Sequence, residues 1–149
     1  MIALIQRVKE ASVAVNGSDK SAISQGLLVF LGIGKDDTDE DSNWLINKIA
    51  KLRVFDDEEG VMNHSVMDVQ GELLVISQFT LHARTKKGSR PSYVDSAPPE
   101  KAIPLYKQFL TQLQDQTALA VKSGEFGADM KVQLINDGPV TIHIDTKNR

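Results

Sequence analysis

The feature that most constrains the fold is an apolar run at residues 26–34, which begins and ends with glycine. Residues 27–31 are Leu, Leu, Val, Phe and Leu, with no polar side chain among them. A strand with one solvated face alternates apolar and polar residues, whereas a strand covered on both faces is apolar throughout. The run therefore predicts a central strand that is buried from two sides.

Other segments have the patterns of strands. Residues 2–8 and 11–15 alternate apolar with polar side chains, and the turn signal Asn16-Gly17 follows them. Residues 73–81 form a second strongly β segment. Three more strand candidates lie near the end of the chain, at residues 118–121, 131–135 and 140–144, with a predicted turn at residues 136–139 between the last two.

Two segments have the spacing of amphipathic helices. The first follows Thr38, which makes an approximate capping box with Asp41, and we expect it to end near Phe55 before a charged turn at residues 56–60. The second begins at residues 98–100, where two prolines and an acid suit a helix start, and runs to about Gln116. The apolar stripes are Leu45, Ile49 and Leu52 in the first helix and Ile103, Tyr106, Leu110 and Leu113 in the second.

The order of these elements is strands, helix, strand, helix and strands, without the regular alternation of a doubly wound parallel sheet. We therefore expect an α+β fold, with mostly antiparallel, barrel-like sheets and two packed helices in a single domain over residues 1–149. No apolar run approaches the ~18 residues of a membrane span, and the first residues do not resemble a signal peptide. The expected location is the cytoplasm.

Several kinds of chemistry find no support in the sequence. The chain has no cysteine, which removes disulfides, thiolate zinc sites and cysteine nucleophiles. It also lacks the phosphate-binding, dinucleotide-binding, zinc-protease and nucleophile-elbow motifs. His64, His82 and His143 are scattered, so their spacing supports no metal site. We expect neither a metal nor a cofactor.

Polar side chains interrupt the apolar segment 73–81 at its end, where Ser77, Gln78 and Thr80 surround Phe79. On a continuing strand, Gln78, Thr80 and His82 share one face. The segment is either an ordinary strand end that emerges into solvent or a pocket mouth beside backbone N–H groups that bind an oxyanion. A Thr80 nucleophile with His82 as its base is conceivable on the shared face, but no third group that orients the histidine is identifiable.

The loop at residues 82–99 carries four cations, Arg84, Lys86, Lys87 and Arg90. The net charge of −3 argues against an indiscriminate nucleic-acid binder, but these four cations leave −7 for the rest of the chain. The loop is either a solvated surface or a phosphate-binding patch, with Lys86, Lys87 and Arg90 as candidate contacts. A non-catalytic RNA-binding module is therefore an alternative function.

Five ordered segments resemble the D-aminoacyl-tRNA deacylases, homodimeric proofreading enzymes that remove D-amino acids from tRNA. They are Ile5-Gln6-Arg7-Val8, Ser77-Gln78-Phe79-Thr80-Leu81, Lys87-Gly88-Ser89-Arg90-Pro91, Phe126-Gly127-Ala128-Asp129-Met130 and Asn136-Asp137-Gly138-Pro139-Val140-Thr141. The resemblance implies an ester hydrolase that acts on the aminoacylated 3′ end of tRNA. It further implies activity on glycine mischarged on alanine tRNA.

The resemblance also implies roles for particular residues. Ser77, Gln78, Phe79 and Thr80 would form the floor of the substrate pocket, with oxyanion stabilisation from backbone donors near Phe79 and Thr80. Met130 would lie at the pocket wall. Gly138-Pro139, in cis, would enter the pocket of the other subunit and reject L-aminoacyl-tRNA, with Arg7 orienting that element. The 2′-hydroxyl of the terminal ribose would assist the reaction, which disfavours Thr80 as a nucleophile.

Overall fold

The computed structural model describes all 149 residues and contains eight strands and two α-helices. In chain order they are β1 (Ile2–Val15), β2 (Ser18–Ile23), β3 (Gly26–Gly32), α1 (Asp39–Lys51), β4 (Phe55–Asp56), β5 (Met62–His64), β6 (Glu72–Ser77), α2 (Pro99–Thr117), β7 (Val121–Ser123) and β8 (Met130–Asp145). A single 3₁₀ turn (Phe79–His82) follows β6. Neither helix has the length and apolar character that crossing a membrane would require.

Six strands form one curved sheet in the order β2-β1-β3-β6-β7, and β8 also pairs with β1. The β3–β6 and β6–β7 pairs are parallel, and the other pairs are antiparallel. Side chains join the two outer strands: Ser21 Oγ donates to the Ser123 carbonyl at 2.8 Å, and Lys122 Nζ donates to the Ala22 carbonyl at 2.6 Å. The predicted α+β fold, with a mostly antiparallel, nearly closed barrel and two helices, is confirmed.

Strand β3 lies at the centre of the sheet, between β1 and β6, as its apolar run predicts. Leu27, Val29 and Leu31 belong to the core that packs beneath the two helices, whereas Leu28 belongs to a second core on the barrel side. Each of these side chains is at most 1% exposed. Complete burial of one leucine or valine contributes roughly 1.5–3 kcal/mol, so both cores depend on this strand.

The glycines that flank β3 permit close approach of the neighbouring backbone. A Cβ atom at Gly26 would lie 1.9 Å from the Glu72 carbonyl oxygen of β6. A Cβ atom at Gly32 would lie 3.0 Å from the Gln78 carbonyl oxygen, at the turn that follows β6. Glycine at these two positions therefore sets how tightly β6 and the turn after it can pack against β3.

The helix starts are confirmed, and one helix end is wrong. Thr38 and Asp41 make the predicted capping box, and Pro99 is the first residue of α2. Helix α2 ends one residue beyond the expected Gln116, but α1 ends at Lys51 rather than near Phe55. Phe55 is 2% exposed and pairs in the short β4–β5 hairpin, so its burial in the core outweighs the helical spacing of the local sequence.

Four of the predicted strand boundaries are wrong. Residues 2–8 and 11–15 belong to one strand, β1, with a register shift between Val8 and Glu10, and the polar strand β2 was not expected. Residues 131–135 and 140–144 also belong to one strand, β8, because the long β1 pairs with both halves. Of residues 118–121, only Val121 lies in β7, since Ala118 adopts the left-handed conformation that ends α2. The segment 73–81 leaves the sheet at Ser77 and continues as the 3₁₀ turn.

Candidate functional site

A cavity of about 300 Å³ lies where the parallel strands β3 and β6 end. The 3₁₀ turn, the start of α2 and the segment that leads into β8 complete its walls. The lining is mainly apolar and consists of Leu31, Ile33, Ile76, Ser77, Gln78, Phe79, Ala97, Ala102, Phe126, Gly127, Ala128, Met130 and Val132. A concave, largely apolar space with a few polar groups is the usual form of a small-ligand site.

Four of the expected substrate-binding residues, Ser77, Gln78, Phe79 and Met130, line this cavity. Thr80 does not: it faces a separate shallow depression. Gln78 lines both spaces, and its Nε2 donates a hydrogen bond of 2.5 Å to Thr80 Oγ1. The amide of Gln78 therefore connects the cavity to the neighbouring depression and fixes the Thr80 side chain.

The expected shared strand face of Gln78, Thr80 and His82 is wrong, because the strand ends at Ser77 and the chain turns. The Gln78 N–H makes a last bond to the Leu31 carbonyl at 2.8 Å, and then the 3₁₀ turn begins. No hydrogen bond joins Thr80 to His82, and Nε2 of His82 is buried without a partner. The geometry that made Thr80 and His82 a conceivable nucleophile–base pair is therefore absent.

The 3₁₀ turn also contains the backbone N–H groups that are expected to bind an oxyanion. Phe79 and Thr80 are its first two residues, so their N–H groups have no acceptor within the turn. Phe79 also lines the cavity and is 54% exposed. Backbone donors at this place suit the oxyanion of a reacting ester.

Tyr106 of α2 supports the cavity from beneath. Its hydroxyl donates to the Val75 carbonyl at 2.8 Å, and its ring lies 5.9 Å from that of Phe126, centroid to centroid. Burial raises the pKa of Tyr106 to about 12, despite hydrogen bonds that act in the opposite direction. The phenol therefore stays protonated well above neutral pH, and its ring packs against that of Phe126.

Sequence reasoning missed most of the apolar lining. Phe126, Gly127 and Ala128 belong to a segment that carries the family resemblance, although only Met130 was assigned to the pocket. A Cβ atom at Gly124 would lie 2.4 Å from Met130 Sδ, so this glycine lets the methionine reach the wall. Residues such as Leu31, Ile76 and Ala102 carry no local signal that separates them from ordinary core positions.

Gly138 and Pro139 lie outside the cavity of their own chain, on a large bulge of β8. Between the pairs Gln6↔Thr141 and Val8↔Asn136, four residues of β8 face the single residue Arg7 of β1. The Gly138–Pro139 peptide bond is cis, and both residues are exposed. The predicted turn at residues 136–139 is thus a protrusion within one strand.

Arg7 lies beneath this bulge and is only 7% exposed. Its Nε donates to the Asp137 carbonyl at 3.0 Å, and its Nη1 donates to the Val54 carbonyl at 2.6 Å. The same nitrogen lies 3.1 Å from Oδ1 of Asp56. The guanidinium therefore ties the bulge to the segment that enters the β4–β5 hairpin.

The basic loop contributes three cations without an ion pair. Arg84 is paired with Asp95, but Lys86, Lys87 and Arg90 are exposed and make no salt bridge. Backbone bonds between Arg84 and Ser92, of 2.8 and 3.0 Å, close the base of the loop. The free positive charge thus lies at the tip of a closed loop.

No group of three or more histidine, aspartate or glutamate side chains is arranged to hold a metal ion.

Comparison with known proteins gives consistent results over the whole chain. The family model described as D-Tyr-tRNA(Tyr) deacylase matches residues 4–145. The chain is 58% identical over 149 residues to a D-aminoacyl-tRNA deacylase of Bacteroides fragilis (strain YCH46), which covers 100% of this chain and 99% of the relative. It is 55% identical over 149 residues to a D-aminoacyl-tRNA deacylase of Flavobacterium johnsoniae, with the same coverage.

Two solved structures are also similar. One, described as a c-Myc DNA unwinding element binding protein, is 45% identical with a TM-score of 0.92 and covers 97% of this chain and 98% of its own. The other, described as a probable eukaryotic D-amino acid tRNA deacylase, is 17% identical with a TM-score of 0.84 and covers 96% of this chain and 97% of its own. The second similarity shows the fold alone.

Proposed function

The chain belongs to the D-Tyr-tRNA(Tyr) deacylase family, and we propose that it is a D-aminoacyl-tRNA deacylase. We propose further that its active site is completed by a second copy of the chain. It is a hydrolase that acts on ester bonds and releases free tRNA and the D-amino acid. The observation that best supports this activity is the 58% sequence identity to a D-aminoacyl-tRNA deacylase over all 149 residues. The cavity lined by Ser77, Gln78 and Phe79 receives the aminoacyl ester.

An aminoacyl ester is already activated, so the reaction does not require a protein nucleophile. Water adds to the ester carbonyl, the bond to the ribose oxygen breaks, and that oxygen takes up a proton. The neighbouring 2′-hydroxyl of the terminal ribose positions the water and helps to move the proton. The protein holds the ester where the cavity meets the neighbouring depression, since Gln78 lines both spaces. There it stabilises the oxyanion through the N–H of Phe79, on the cavity side, and the N–H of Thr80, on the side of the depression.

We propose that selectivity for D-amino acids comes from Gly138 and Pro139 of the second copy. Both residues are exposed, and neither lines the cavity of its own chain. Placed over the partner's cavity, they crowd one face of the substrate Cα, so an L side chain clashes and a D side chain does not. Glycine has no side chain to reject, and glycine mischarged on alanine tRNA is therefore a substrate as well.

The tRNA binds to a local positive surface, formed by Lys86, Lys87 and Arg90, on a chain whose net charge is −3. Phosphate contacts of this kind position a nucleic acid without reading its sequence, and they weaken as salt rises. Weak electrostatic attraction of this kind suits an enzyme that must release each tRNA. The proposal includes a cytoplasmic location, where charged tRNA is used.

The test is a turnover assay of purified protein on D-tyrosyl-tRNA and L-tyrosyl-tRNA. We expect the D ester to be hydrolysed much faster than it hydrolyses spontaneously, and the L ester to survive. Glycyl-tRNA(Ala) is expected to behave like the D substrate. An intact D-tyrosyl-tRNA, under conditions in which a control deacylase cleaves it, contradicts the proposed activity.

A second candidate function is binding of nucleic acid without cleavage. It is favoured by the exposed cations of the basic loop and by the solved structure described as a DNA unwinding element binding protein. This alternative predicts salt-sensitive binding of uncharged tRNA or DNA with no loss of ester. The same turnover assay separates the two functions.

A further inference from the structure

A short segment, residues 95–97, leads to the wall of the cavity beside the 3₁₀ turn. The Lys35 N–H donates to the Asp95 carbonyl at 2.9 Å, and the Ala97 N–H donates to the Ile33 carbonyl at 2.9 Å. Between them, Gly34 and Ser96 form an isolated β-bridge. Ala97 itself lines the cavity. The segment is thus an extra strand-like piece along the chain that leaves β3.

The carboxylate of Asp95 anchors this segment to the basic loop. Nε and Nη2 of Arg84 each bond one oxygen of Asp95, the second at 2.7 Å, and Lys35 Nζ lies 3.4 Å away. The hydrogen bond from Arg84 lowers the pKa of Asp95, so this carboxylate is ionised at neutral pH. A two-point arginine–carboxylate pair fixes orientation as well as distance.

Ser96 connects the segment to the residue at the mouth of the cavity. Its Oγ donates to the Phe79 carbonyl at 3.0 Å. The ring of Tyr93, three residues earlier, packs edge-to-face on the ring of Phe79 with the centroids 5.0 Å apart. Since Phe79 is 54% exposed, these contacts hold it where core packing does not.

The bond to the Phe79 carbonyl has a further effect, because a peptide unit is planar. The carbonyl of Phe79 and the N–H of Thr80 belong to the same peptide plane. Holding the carbonyl therefore fixes the direction of that N–H, one of the two donors assigned to the oxyanion. A hydrogen bond remote from the reacting ester thus orients a donor group.

We propose that Ser96 and Asp95 are positioning residues for deacylation: Ser96 fixes the Phe79–Thr80 peptide, and Asp95 holds Ser96 in place through Arg84 and Lys35. This inference rests on the proposed function and goes beyond it, because Arg84 now belongs to the scaffold of the site. Arg84 is thereby separated from Lys86, Lys87 and Arg90, whose charges are free for tRNA.

The first test compares Ser96→Thr with Ser96→Val, two side chains of the same shape that differ in the hydroxyl. On D-tyrosyl-tRNA, we expect Ser96→Val to lower kcat about tenfold with KM within about twofold of the unchanged protein. Ser96→Thr is expected to retain kcat. Thermal unfolding of both variants shows whether they fold equally well. Equal kcat values for the two variants overturn the proposal.

The second test separates Arg84 from the tRNA-binding cations through the salt dependence of KM. Arg84→Gln is expected to lower kcat and leave the salt slope unchanged, whereas Lys87→Gln raises KM and reduces the slope by about one phosphate contact. Glu40→Gln, in an exposed ion pair that does not line the cavity, is the control that changes neither. An Arg84→Gln variant that behaves like Lys87→Gln overturns the scaffold role. Failure of the unchanged protein to cleave D-tyrosyl-tRNA contradicts the proposed function itself.

Discussion

Arg7 contacts the β8 bulge from beneath, and we propose that it sets the orientation of the bulge. It donates to the Asp137 and Val54 carbonyls and lies beside the Asp56 carboxylate. A lysine cannot reproduce this fork of contacts and leaves buried acceptors unpaired. For Arg7→Lys we expect a loss of about 1–3 kcal/mol in unfolding free energy and a smaller ratio of D to L hydrolysis.

The matched control for that variant is Arg53→Lys, the same substitution at an exposed arginine that donates to the Asn63 carbonyl. Urea unfolding and parallel assays on D- and L-tyrosyl-tRNA measure both effects. Equal stability and equal selectivity in the two variants would show that Arg7 does not orient the bulge.

A substitution of Thr80 tests whether its hydroxyl acts as a nucleophile in the reaction. Its hydroxyl accepts a hydrogen bond from Gln78, and no base contacts it. Because water attacks the ester with help from the ribose hydroxyl in the proposed reaction, Thr80→Val is expected to keep the single-turnover rate within about tenfold of the unchanged protein. A loss of several orders of magnitude would instead point to a covalent threonyl intermediate.

Local sequence predicts the polar residues of the site better than its shape. Polar groups at the end of an apolar strand suggest either a strand end or a pocket mouth, and it is the family resemblance that assigns Ser77, Gln78 and Phe79 to the pocket floor. The exclusion of Thr80 from the cavity could not be predicted, since it follows from the turn that begins after Ser77. That turn depends on contacts with β3 through Gly32, which are distant in sequence.

At the scale of elements, β1 and β3 organise the molecule. The apolar run of β3 predicts its central place, whereas the composition of residues 136–139 indicates a hairpin turn that does not form. Asparagine, aspartate, glycine and proline favour turns for local steric reasons. Here the long strand β1 pairs with β8 on both sides of these residues, so they bulge out of a continuous ladder.

The second core depends on β3 in a way that stability measurements can test. Leu28 is 0% exposed within the barrel-side core. We expect Leu28→Ala to lower the unfolding free energy by about 2–5 kcal/mol, through lost burial and the cavity left behind. Val61→Ala, at a side chain that is 56% exposed, serves as the control with a change below about 0.5 kcal/mol. Similar urea midpoints for the two variants would contradict the two-sided burial of β3.

At the scale of the whole molecule, the last residues of the chain are tied to α1 by charge. Lys147 Nζ lies 2.7 Å from Asp41, and Arg149 contacts both Asp41 and Glu40. Burial tends to raise the pKa of Asp41, but hydrogen bonds from Lys147 and Thr38 outweigh it and hold the pKa well below its usual range. A carboxylate of this kind stabilises the fold above its unfolded pKa, near 4.

That stabilisation is expected to decline progressively as the pH falls from about 5 towards 2, because the unfolded chain then binds the proton more readily than the folded chain. Urea midpoints across this range measure the effect. Asp41→Asn should be less stable at neutral pH and should lose less stability on acidification. Asp115→Asn, at an exposed carboxylate without an ion pair, is the control. Identical acid profiles for the two variants would contradict this role of Asp41.

A shared active site, formed by the cavity of one chain and the Gly138–Pro139 bulge of another, is the main requirement of the proposed function. It is tested by mixing two variants: Ala128→Phe, which fills the cavity, and the Gly138→Ala/Pro139→Ala double variant, which alters the bulge. In each mixed dimer, one site combines an intact cavity with an intact bulge. After subunit exchange of equal amounts, we expect two nearly inactive proteins to regain about a quarter of the unaltered deacylase activity, because half of the dimers are mixed and each has one intact site. No recovery in a mixture that has demonstrably exchanged subunits would contradict a shared site.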